Sequence, residues 1–237
     1  MSDLVRIADD LAAALALLSF APPVAHVYNP LVYAREPHAA YLRRFGAAPK
    51  EAVFVGMNPG PWGMAQTGVP FGEVAVVKDW LGIDGAVARP DHEHPKKRVD
   101  GFACRRSEVS GRRLWGLIRD RFGTPERFFD RFFVVNYCPL LFITAEGGNV
   151  TPDKLRAAER EPLMNLCDQA LRRTVECLAP RVVIGVGGFA EERARDAVAG
   201  LHVRVGRILH PSPANPAANR DWDGTVLRQL DELAIPF

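Results

Sequence analysis

The most constraining stretch of the chain covers residues 51–72, EAVFVGMNPGPWGMAQTGVPFG, where an apolar run passes directly into a loop rich in glycine and proline. The run at 52–55 is typical of a buried strand. Five glycines and three prolines follow within the seventeen residues from Gly56 to Gly72. Glycine lets a backbone approach a ligand closely, and proline fixes the path of the chain. Because open α/β sheets bind ligands at such strand ends, the stretch predicts a binding loop, with an ordinary long connection as the alternative.

Strand patterns and helical patterns alternate four times along the chain. We expect strands at 52–55, 131–137, 181–186 and 201–209, and helices at 3–19, 38–45, 73–81, 110–122, 151–177, 189–199 and 215–233. The connections are long enough for crossovers, so the alternation predicts an α/β fold with a parallel sheet covered on both faces. With 237 residues, 48% of them hydrophobic, the chain is expected to form a single domain, 1–237, with a helix in residues 1–20 packed on it.

The segment 21–37 interrupts this alternation. It contains four prolines, and one of them, Pro30, lies in the middle of an apolar stripe with helical spacing. Because proline breaks the interior of a helix, this segment predicts an extended arm on the surface.

Three of the predicted strands end in a polar side chain that a proline follows within three residues. These side chains are Asn58, Asn136 and His210. Since parallel strands end at the same edge of a sheet, we expect the three residues to converge. Their convergence predicts a site more strongly than any of them does alone.

The residue types at this edge suit the recognition and removal of a nucleobase. An asparagine amide matches the Watson–Crick edge of a base and also orients water without carrying charge. Histidine donates to charge that develops on a leaving group, and Phe71 offers a stacking face. The set therefore predicts hydrolysis of the glycosidic bond of a flipped base. Taken alone, each residue also has a structural interpretation: turn former for Asn58, strand-end cap for Asn136, structural histidine for His210 and core packing for Phe71.

Metal and cofactor chemistry have weaker support. The cysteines lack the close spacing of a metal site and predict reduced, mostly buried thiols: Cys104, Cys138, Cys167 and Cys177. The run 91–94, DHEH, alternates possible metal ligands, but within a basic loop it is more typical of a solvated segment. The sequence contains neither the G-x-x-x-x-G-K-S/T phosphate loop nor a G-x-G-x-x-G motif at the start of a helix. Residues 185–188, GVGG, predict a tight turn. We therefore expect no metal and no cofactor.

Positive charge is concentrated in residues 89–113, which carry about +4 against +2 for the whole chain. Such a segment is either a solvated face or a phosphate-binding surface, with five candidates for DNA binding: Lys96, Lys97, Arg98, Arg105 and Arg106. No apolar run reaches the roughly twenty residues of a membrane helix, and acidic residues precede the apolar segment near the N-terminus. We expect a protein of the bacterial cytoplasm, or of the nucleus in a eukaryote, without a membrane partner.

The motifs resemble those of the single-strand-selective monofunctional uracil-DNA glycosylases, a family of the uracil-DNA glycosylase superfamily. Residues 56–74, GMNPGPWGMAQTGVPFGEV, are similar to the first motif of the family, and residues 210–222, HPSPANPAANRDW, to the second. The stretches at 28–38, 94–116 and 136–142 also resemble sequences of this family. The resemblance implies a three-layer α/β/α sandwich around a four-stranded parallel sheet. It also implies removal of uracil and of 5-substituted uracils such as 5-hydroxymethyluracil from DNA without backbone cleavage.

At the matching positions the resemblance implies a role for each candidate. Asn58 is expected to position the attacking water, and His210 to bond the uracil O2 as negative charge builds there. Asn136 is expected to read the edge of the base, and Phe71 to stack on its ring.

The resemblance also implies which residues contact the 5-position of the base and which loop enters the DNA duplex. Backbone amides near Met57 and open space at Gly60 are expected to line the 5-position. The loop expected to enter the duplex comprises Ser212, Pro213, Ala214 and Asn215. Ala214 departs from the pattern, because family members can carry there an arginine that wedges into the helix. The efficiency of action on duplex DNA therefore stays open on sequence alone, and Asn215 or the residues that follow it are further candidates for the wedge.

Two other functions stay open on sequence alone. One is a glycosylase of the same superfamily that favours xanthine or hypoxanthine, and the other is a catalytically silent binder of single-stranded nucleic acid. The expected partner is DNA containing uracil, single- or double-stranded, and the chain is expected to act as a monomer.

Overall fold

The computed structural model describes residues 3–237, so Met1 and Ser2, which the predicted domain includes, lie outside the described residues. Its strands are β1 (Val24–Tyr28), β2 (Ala52–Gly56), β3 (Phe132–Asn136), β4 (Leu141–Thr144), β5 (Asn149–Val150), β6 (Val182–Val186) and β7 (Arg204–Ile208). Its α-helices are α1 (Asp3–Leu15), α2 (Pro30–Tyr33), α3 (Arg35–Phe45), α4 (Met64–Thr67), α5 (Val109–Phe122), α6 (Pro125–Phe129), α7 (Ala157–Leu178), α8 (Gly188–Ala197) and α9 (Ala218–Glu232), and a π-helix covers Val76–Trp80 within the helix predicted at 73–81.

The main sheet has four strands in the order β3-β2-β6-β7, and each neighbouring pair is parallel. Every residue of β2 and of β6 is buried, as expected for interior strands covered on both faces. The four predicted strands are confirmed, with bounds that shift by at most three residues.

Helices cover this sheet in two groups. Helix α1 packs on α7, which packs on α8, while α5 packs on α6 and α9. The buried side of α7 follows helical spacing through Leu163, Cys167, Leu171, Val175 and Leu178, and these residues share one core cluster with the strands. The fold is the predicted three-layer α/β/α sandwich.

The prediction of an extended arm over residues 21–37 is right only for its first part. Residues 24–28 form β1, but Pro30 is the first residue of α2. The side chain of Asn29 caps that helix by accepting from the Leu31 amide at 3.2 Å. Proline loses no hydrogen bond in the first turn of a helix, which explains why Pro30 starts α2 and why Pro37 lies in the first turn of α3.

A second sheet was not predicted from the sequence. It contains three antiparallel strands in the order β1-β4-β5. Strand β4 begins five residues after Asn136, so this sheet is attached directly to the edge where the candidate site lies.

The basic segment is irregular from residue 89 to residue 108 apart from a single 3₁₀ turn at Gly101–Ala103, and its last five residues belong to α5. It is not solvated throughout, however, because His94 is buried. The Lys96 amide donates to His94 Nδ1 at 3.0 Å, so His94 Nε2 carries the proton and donates to the Ala145 carbonyl at 3.0 Å. His94 therefore fastens the segment to the second sheet. Within residues 3–237, no cluster of three or more His, Cys, Asp or Glu could hold a metal ion.

The start of α5 also differs from the prediction. The sequence predicts that this helix begins at residue 110, but it begins at Val109 and its N-cap is Glu108. The Glu108 side chain makes no capping hydrogen bond and turns instead toward the loop after β2. No helix among the described residues is long and apolar enough to cross a membrane.

Candidate active site

The three predicted strand-end residues meet as expected. Asn58, Asn136 and His210 line one cavity of about 360 Å³ at the edge where the parallel strands end. The register explains part of this meeting, because Gly56 at the end of β2 pairs directly with Asn136 at the end of β3. Phe71, Met57, Gly60 and Ser212 line the same cavity.

A glycine turn brings His210 to the cavity across the end of β6. Gly187 follows β6 with a φ of +94°, a conformation that favours glycine, and its amide donates to the Ile208 carbonyl at 2.9 Å. A Cβ atom at Gly187 would lie 3.2 Å from the Cβ of His210. The bare backbone therefore lets the chain after β7 cross over β6 toward β2. The tight turn predicted at 185–188 is confirmed.

The loop after β2 holds Phe71 in an uncommon conformation. Its φ is +54°, a strained value for a bulky residue. Helix α5 holds the loop in place, because Trp115 Nε1 donates to the Pro70 carbonyl at 3.2 Å and Gly111 lets the Phe71 carbonyl approach closely. The Phe71 and His210 rings lie with their centroids 6.3 Å apart.

Gly56 forms the floor between two candidate residues. A Cβ atom there would lie 2.4 Å from Asn136 Oδ1 and 2.5 Å from an edge carbon of the Phe71 ring. Both side chains therefore close over the bare end of β2, which a larger residue would prevent.

Asn136 has an unusual hydrogen-bonding state. Its Nδ2 contacts the Met64 sulfur at 3.2 Å, while its Oδ1 is buried without any partner. Buried polar atoms are nearly always paired, so a lone acceptor on a cavity wall is available to a donor from a ligand or a water that enters the cavity. This observation favours a reading role over the strand-end cap considered from the sequence.

Asn58 is oriented by the backbone of the neighbouring strand connection. Its Nδ2 donates to the Leu140 carbonyl at 3.2 Å. Since a carbonyl only accepts, the amide nitrogen must face Leu140. The Oδ1 atom is left without a protein partner among the described residues and is available to accept from water.

His210 is neutral and has a defined tautomer. The Ser212 amide donates to Nδ1 at 3.0 Å, which leaves the proton on Nε2. Burial lowers the pKa of His210, so the imidazole stays uncharged near neutral pH. The ring thus offers a neutral N–H donor to the cavity.

The expectation of open space at Gly60 is wrong. A Cβ atom at Gly60 would lie 2.3 Å from Glu108 Oε2, and one at Gly63 would lie 3.0 Å from Glu108 Cγ. The carboxylate occupies the room that the two glycines leave, and the Trp62 amide donates to its Oε2 at 3.2 Å. Burial raises the pKa of Glu108, while the Trp62 amide and the charge of Lys97 oppose that change.

Glu108 is the main residue of the cavity that the sequence reasoning missed. Its signal was its position in the familial stretch 94–116, which also contains Ser110, another residue of the lining. Asn149 and Thr151 also line the cavity, and no sequence signal distinguished them.

The side chain after Asn136 braces the strand end. Tyr137 donates from its hydroxyl to Asp168 Oδ1 at 2.8 Å and accepts from Arg193 Nε at 3.1 Å. Arg193 also pairs with Asp168 directly. This network ties β3 to α7 and α8 and limits how far Asn136 can move.

The five basic candidates also meet, in a separate cleft of about 730 Å³ beside the cavity: Lys96, Lys97, Arg98, Arg105 and Arg106. Trp62 lies in this cleft, with the Lys97 ammonium 5.1 Å and the Arg106 guanidinium 4.3 Å from its ring centroid. Apart from Arg98, which lies near Glu93, none of the five forms an ion pair with another described residue. Because the Trp62 amide bonds Glu108, the cleft and the cavity share a wall.

The loop after His210 is ordered by its own hydrogen bonds. The Ala214 amide donates to Ser212 Oγ at 3.2 Å, and Asn219 Nδ2 donates to the Pro213 carbonyl at 2.8 Å. Pro213 and Ala214 are exposed at the tip, and Asn215 is half-buried. The loop therefore presents a small, rigid projection beside the cavity.

A comparison with family models matches residues 44–230 to the uracil DNA glycosylase superfamily, and the chain belongs to that class of proteins. Single-strand selective monofunctional uracil-DNA glycosylase from Rattus norvegicus is 53% identical over 227 residues, which span 95% of this chain and 82% of that protein. The proteins of the same name from Mus musculus and Bos taurus are each 52% identical, spanning 95% and 92% of this chain and 81% of their own lengths. Within the superfamily, the chain is a member of the single-strand-selective monofunctional family, as its motifs predicted.

A solved structure shares the fold at much lower sequence identity. The crystal structure of wild-type Pedobacter heparinus SMUG2 superposes with a TM-score of 0.67 at 19% identity. The match covers 96% of this chain and 98% of that one. At this identity the likeness establishes the architecture alone.

Proposed function

We propose that this chain removes uracil, and 5-substituted uracils such as 5-hydroxymethyluracil, from DNA by hydrolysing the N-glycosidic bond and leaving the backbone intact. Family membership supports the uracil-DNA glycosylase activity. The observation that supports the site best is the orphaned Oδ1 of Asn136, which lies over the bare backbone of Gly56 beside the edge of the Phe71 ring.

Recognition of the base follows from this fixed acceptor. Uracil presents a donor at N3, which Asn136 Oδ1 accepts, while the base stacks on Phe71. Cytosine presents an acceptor at N3, so it would leave two acceptors facing each other in a buried place. An unpaired buried polar group costs about 1–3 kcal/mol, and a site built around a hydrogen bond rejects analogues that lack it.

The leaving group is stabilised by a neutral donor. As the glycosidic bond breaks, the sugar becomes cationic in character and the base departs as an anion. His210 Nε2–H then donates to the base O2, where charge accumulates, and no proton transfer is required. The free Oδ1 of Asn58 orients the water that attacks the sugar carbon.

The basic cleft provides the path of the strand. Its unpaired cations suit phosphates, and the Trp62 ring suits a neighbouring base, a combination that single-stranded nucleic acid favours. The small tip at Pro213 and Ala214 fills the gap left by a flipped base less than a long side chain does. Flipping costs less from single-stranded than from paired DNA, so we expect faster excision from single strands.

The test uses a single-stranded oligonucleotide with one uracil, followed by alkaline cleavage of the product under single-turnover conditions. Asn58→Ala and His210→Ala are each expected to lower the excision rate by about tenfold or more, because each removes a contact to the transition state. His202→Ala, an exposed histidine, is the matched control and should keep the native rate.

Three outcomes would contradict parts of the proposal. Native rates for both variants would refute the assigned roles. Binding of the oligonucleotide without any cleavage would indicate a silent binder instead of an enzyme. Faster release of xanthine or hypoxanthine than of uracil, in a panel of oligonucleotides of one sequence, would indicate the other specificity within the superfamily.

A further inference from the structure

Gln66 is a buried polar side chain within the loop that follows β2. It lies on α4, and none of its surface is exposed. Its Nε2 donates to the Pro61 carbonyl at 2.8 Å and to the Arg98 carbonyl at 2.9 Å. Its Oε1 accepts from the Asp100 amide at 2.9 Å and from the Gly101 amide at 3.1 Å. Both donor hydrogens and both acceptor positions of the side-chain amide are therefore used.

These four bonds join the two places that the proposed function uses. Pro61 directly follows Gly60, which lines the base cavity. Arg98 and Asp100 line the basic cleft. A single side chain thus holds the wall of the cavity and the wall of the cleft at a fixed separation.

The same part of the basic segment is attached to the second sheet by other contacts. The Tyr28 hydroxyl, on β1, donates to the Lys97 carbonyl at 2.9 Å and accepts from the His94 amide at 2.7 Å. These contacts fix the segment on β1 without involving the loop after β2. Gln66 adds the attachment to that loop, and so it sets the position of the segment relative to the base cavity.

We propose that Gln66 is a positioning residue that couples phosphate binding in the basic cleft to insertion of the base in the cavity. This proposal rests on the proposed function. Contacts to a remote part of a substrate speed the chemical step only when they hold the reacting part in place. With the two walls at a fixed separation, the cations that hold the strand also hold the flipped nucleotide. When the separation varies, the same cations bind DNA but no longer act on the base.

The test is a double-mutant cycle between Gln66 and Lys96, which lines the cleft but not the cavity. Single-turnover excision of uracil is measured at saturating single-stranded DNA, so that losses of binding do not enter the rate. Lys96→Ala is expected to lower this rate by about fivefold or more in the native background. In Gln66→Met, which has similar length but no amide, the same substitution should lower it by less than about twofold. Such non-additivity measures the coupling between the two residues.

Thr67→Val is the matched control. Thr67 is also fully buried on α4, but its hydroxyl donates to the Gly72 carbonyl at 2.9 Å, within the same loop. This variant damages the loop and leaves its attachment to the basic segment in place. Lys96→Ala should therefore keep its effect of about fivefold or more in the Thr67→Val background.

A second variant disturbs the same attachment from its other end. Gly101 has a φ of +59°, and a Cβ atom there would lie 3.0 Å from the Cβ of Val87. In Gly101→Ala the amide that bonds Gln66 must move, so the effect of Lys96→Ala should shrink as it does in Gln66→Met. This cycle decides the matter if Gln66→Met does not fold.

Three outcomes would overturn the proposal. The first is a full effect of Lys96→Ala in both Gln66→Met and Gly101→Ala, which a purely structural role for Gln66 would give. The second is an equal loss of the effect in Thr67→Val, which would indicate a general loss of order in the loop. The third is a native background in which Lys96→Ala leaves the saturating rate unchanged. Failure of the native protein to release uracil would instead refute the proposed function itself.

Discussion

Acid should destabilise this protein through one buried histidine below the binding loop. His38 on α3 is buried, and its Nδ1 donates to the Gly68 carbonyl at 2.7 Å. Gly68 ends α4 with a φ of +71°, only three residues before Phe71. The bond therefore fastens the loop that carries the proposed stacking residue.

The magnitude follows from the pKa of His38. Burial lowers this pKa from 6.5 to about 4, against smaller opposing effects of the Gly68 carbonyl and of Asp9. Above pH 6.5 the histidine is neutral in both the folded and the unfolded chain, so it contributes no pH dependence. Between pH 6.5 and 4 only the unfolded chain takes up the proton, and the folded state loses stability as the pH falls. The loss amounts to about 2 kcal/mol at pH 5 and about 3 kcal/mol at pH 4.

The variant His38→Asn isolates this contribution. The asparagine Nδ2 can replace Nδ1 as the donor to Gly68 but does not titrate in this range. The smaller side chain lowers stability at every pH, so the quantity to compare is the change in unfolding free energy between pH 7.5 and 5. Urea unfolding of both proteins gives this change, which should be about 2 kcal/mol smaller in the variant. His202→Asn, at an exposed position, should lose as much as the native protein. Equal losses in His38→Asn and the native protein would refute the reasoning.

Two further predictions concern the cavity and the cleft. Gly56→Ala adds a Cβ within 2.5 Å of both Asn136 and Phe71, so both side chains must move. The uracil excision rate should therefore fall by about tenfold or more. A native rate would contradict the close packing at this position. Arg106→Ala should weaken binding of single-stranded DNA, and the slope of log affinity against log salt concentration should become about 0.7 less steep, because one phosphate contact is lost. Arg6→Ala, which removes an exposed arginine on α1, is the control and should leave the slope unchanged.

The sheet and its polar edge were predictable because their signals are local. The runs that form β2, β3 and β6 are apolar and bounded by glycine or polar residues. Each can therefore be recognised as a strand from a few consecutive residues. The rule that parallel strands end at one edge then brought Asn58, Asn136 and His210 together without any knowledge of contacts.

The features that escaped prediction depend on contacts between distant segments. Strand β1 is defined by pairing with β4, which lies more than a hundred residues later in the chain. The apolar stripe around Pro30 does not show where the helix begins, so the sequence predicts that Pro30 breaks it. In the structure Pro30 is the first residue of α2, where proline is well tolerated. The path of the Glu108 side chain depends on the absence of side chains at Gly60 and Gly63, and neither end of that contact reveals the other in sequence.

The way the cavity is assembled has a consequence for how the protein acquires activity during folding. Its lining extends from Met57 to Ser212 and draws on the ends of β2, β3 and β7, which are not neighbours in sequence. Parallel strands cannot pair through a short hairpin, so each loop must close over a long distance before any wall of the cavity exists. Such non-local pairings form slowly, and a partly folded chain with its helices in place would still lack the pocket. Excision activity therefore reports completion of the whole sheet, and it should appear later in refolding than helical structure does.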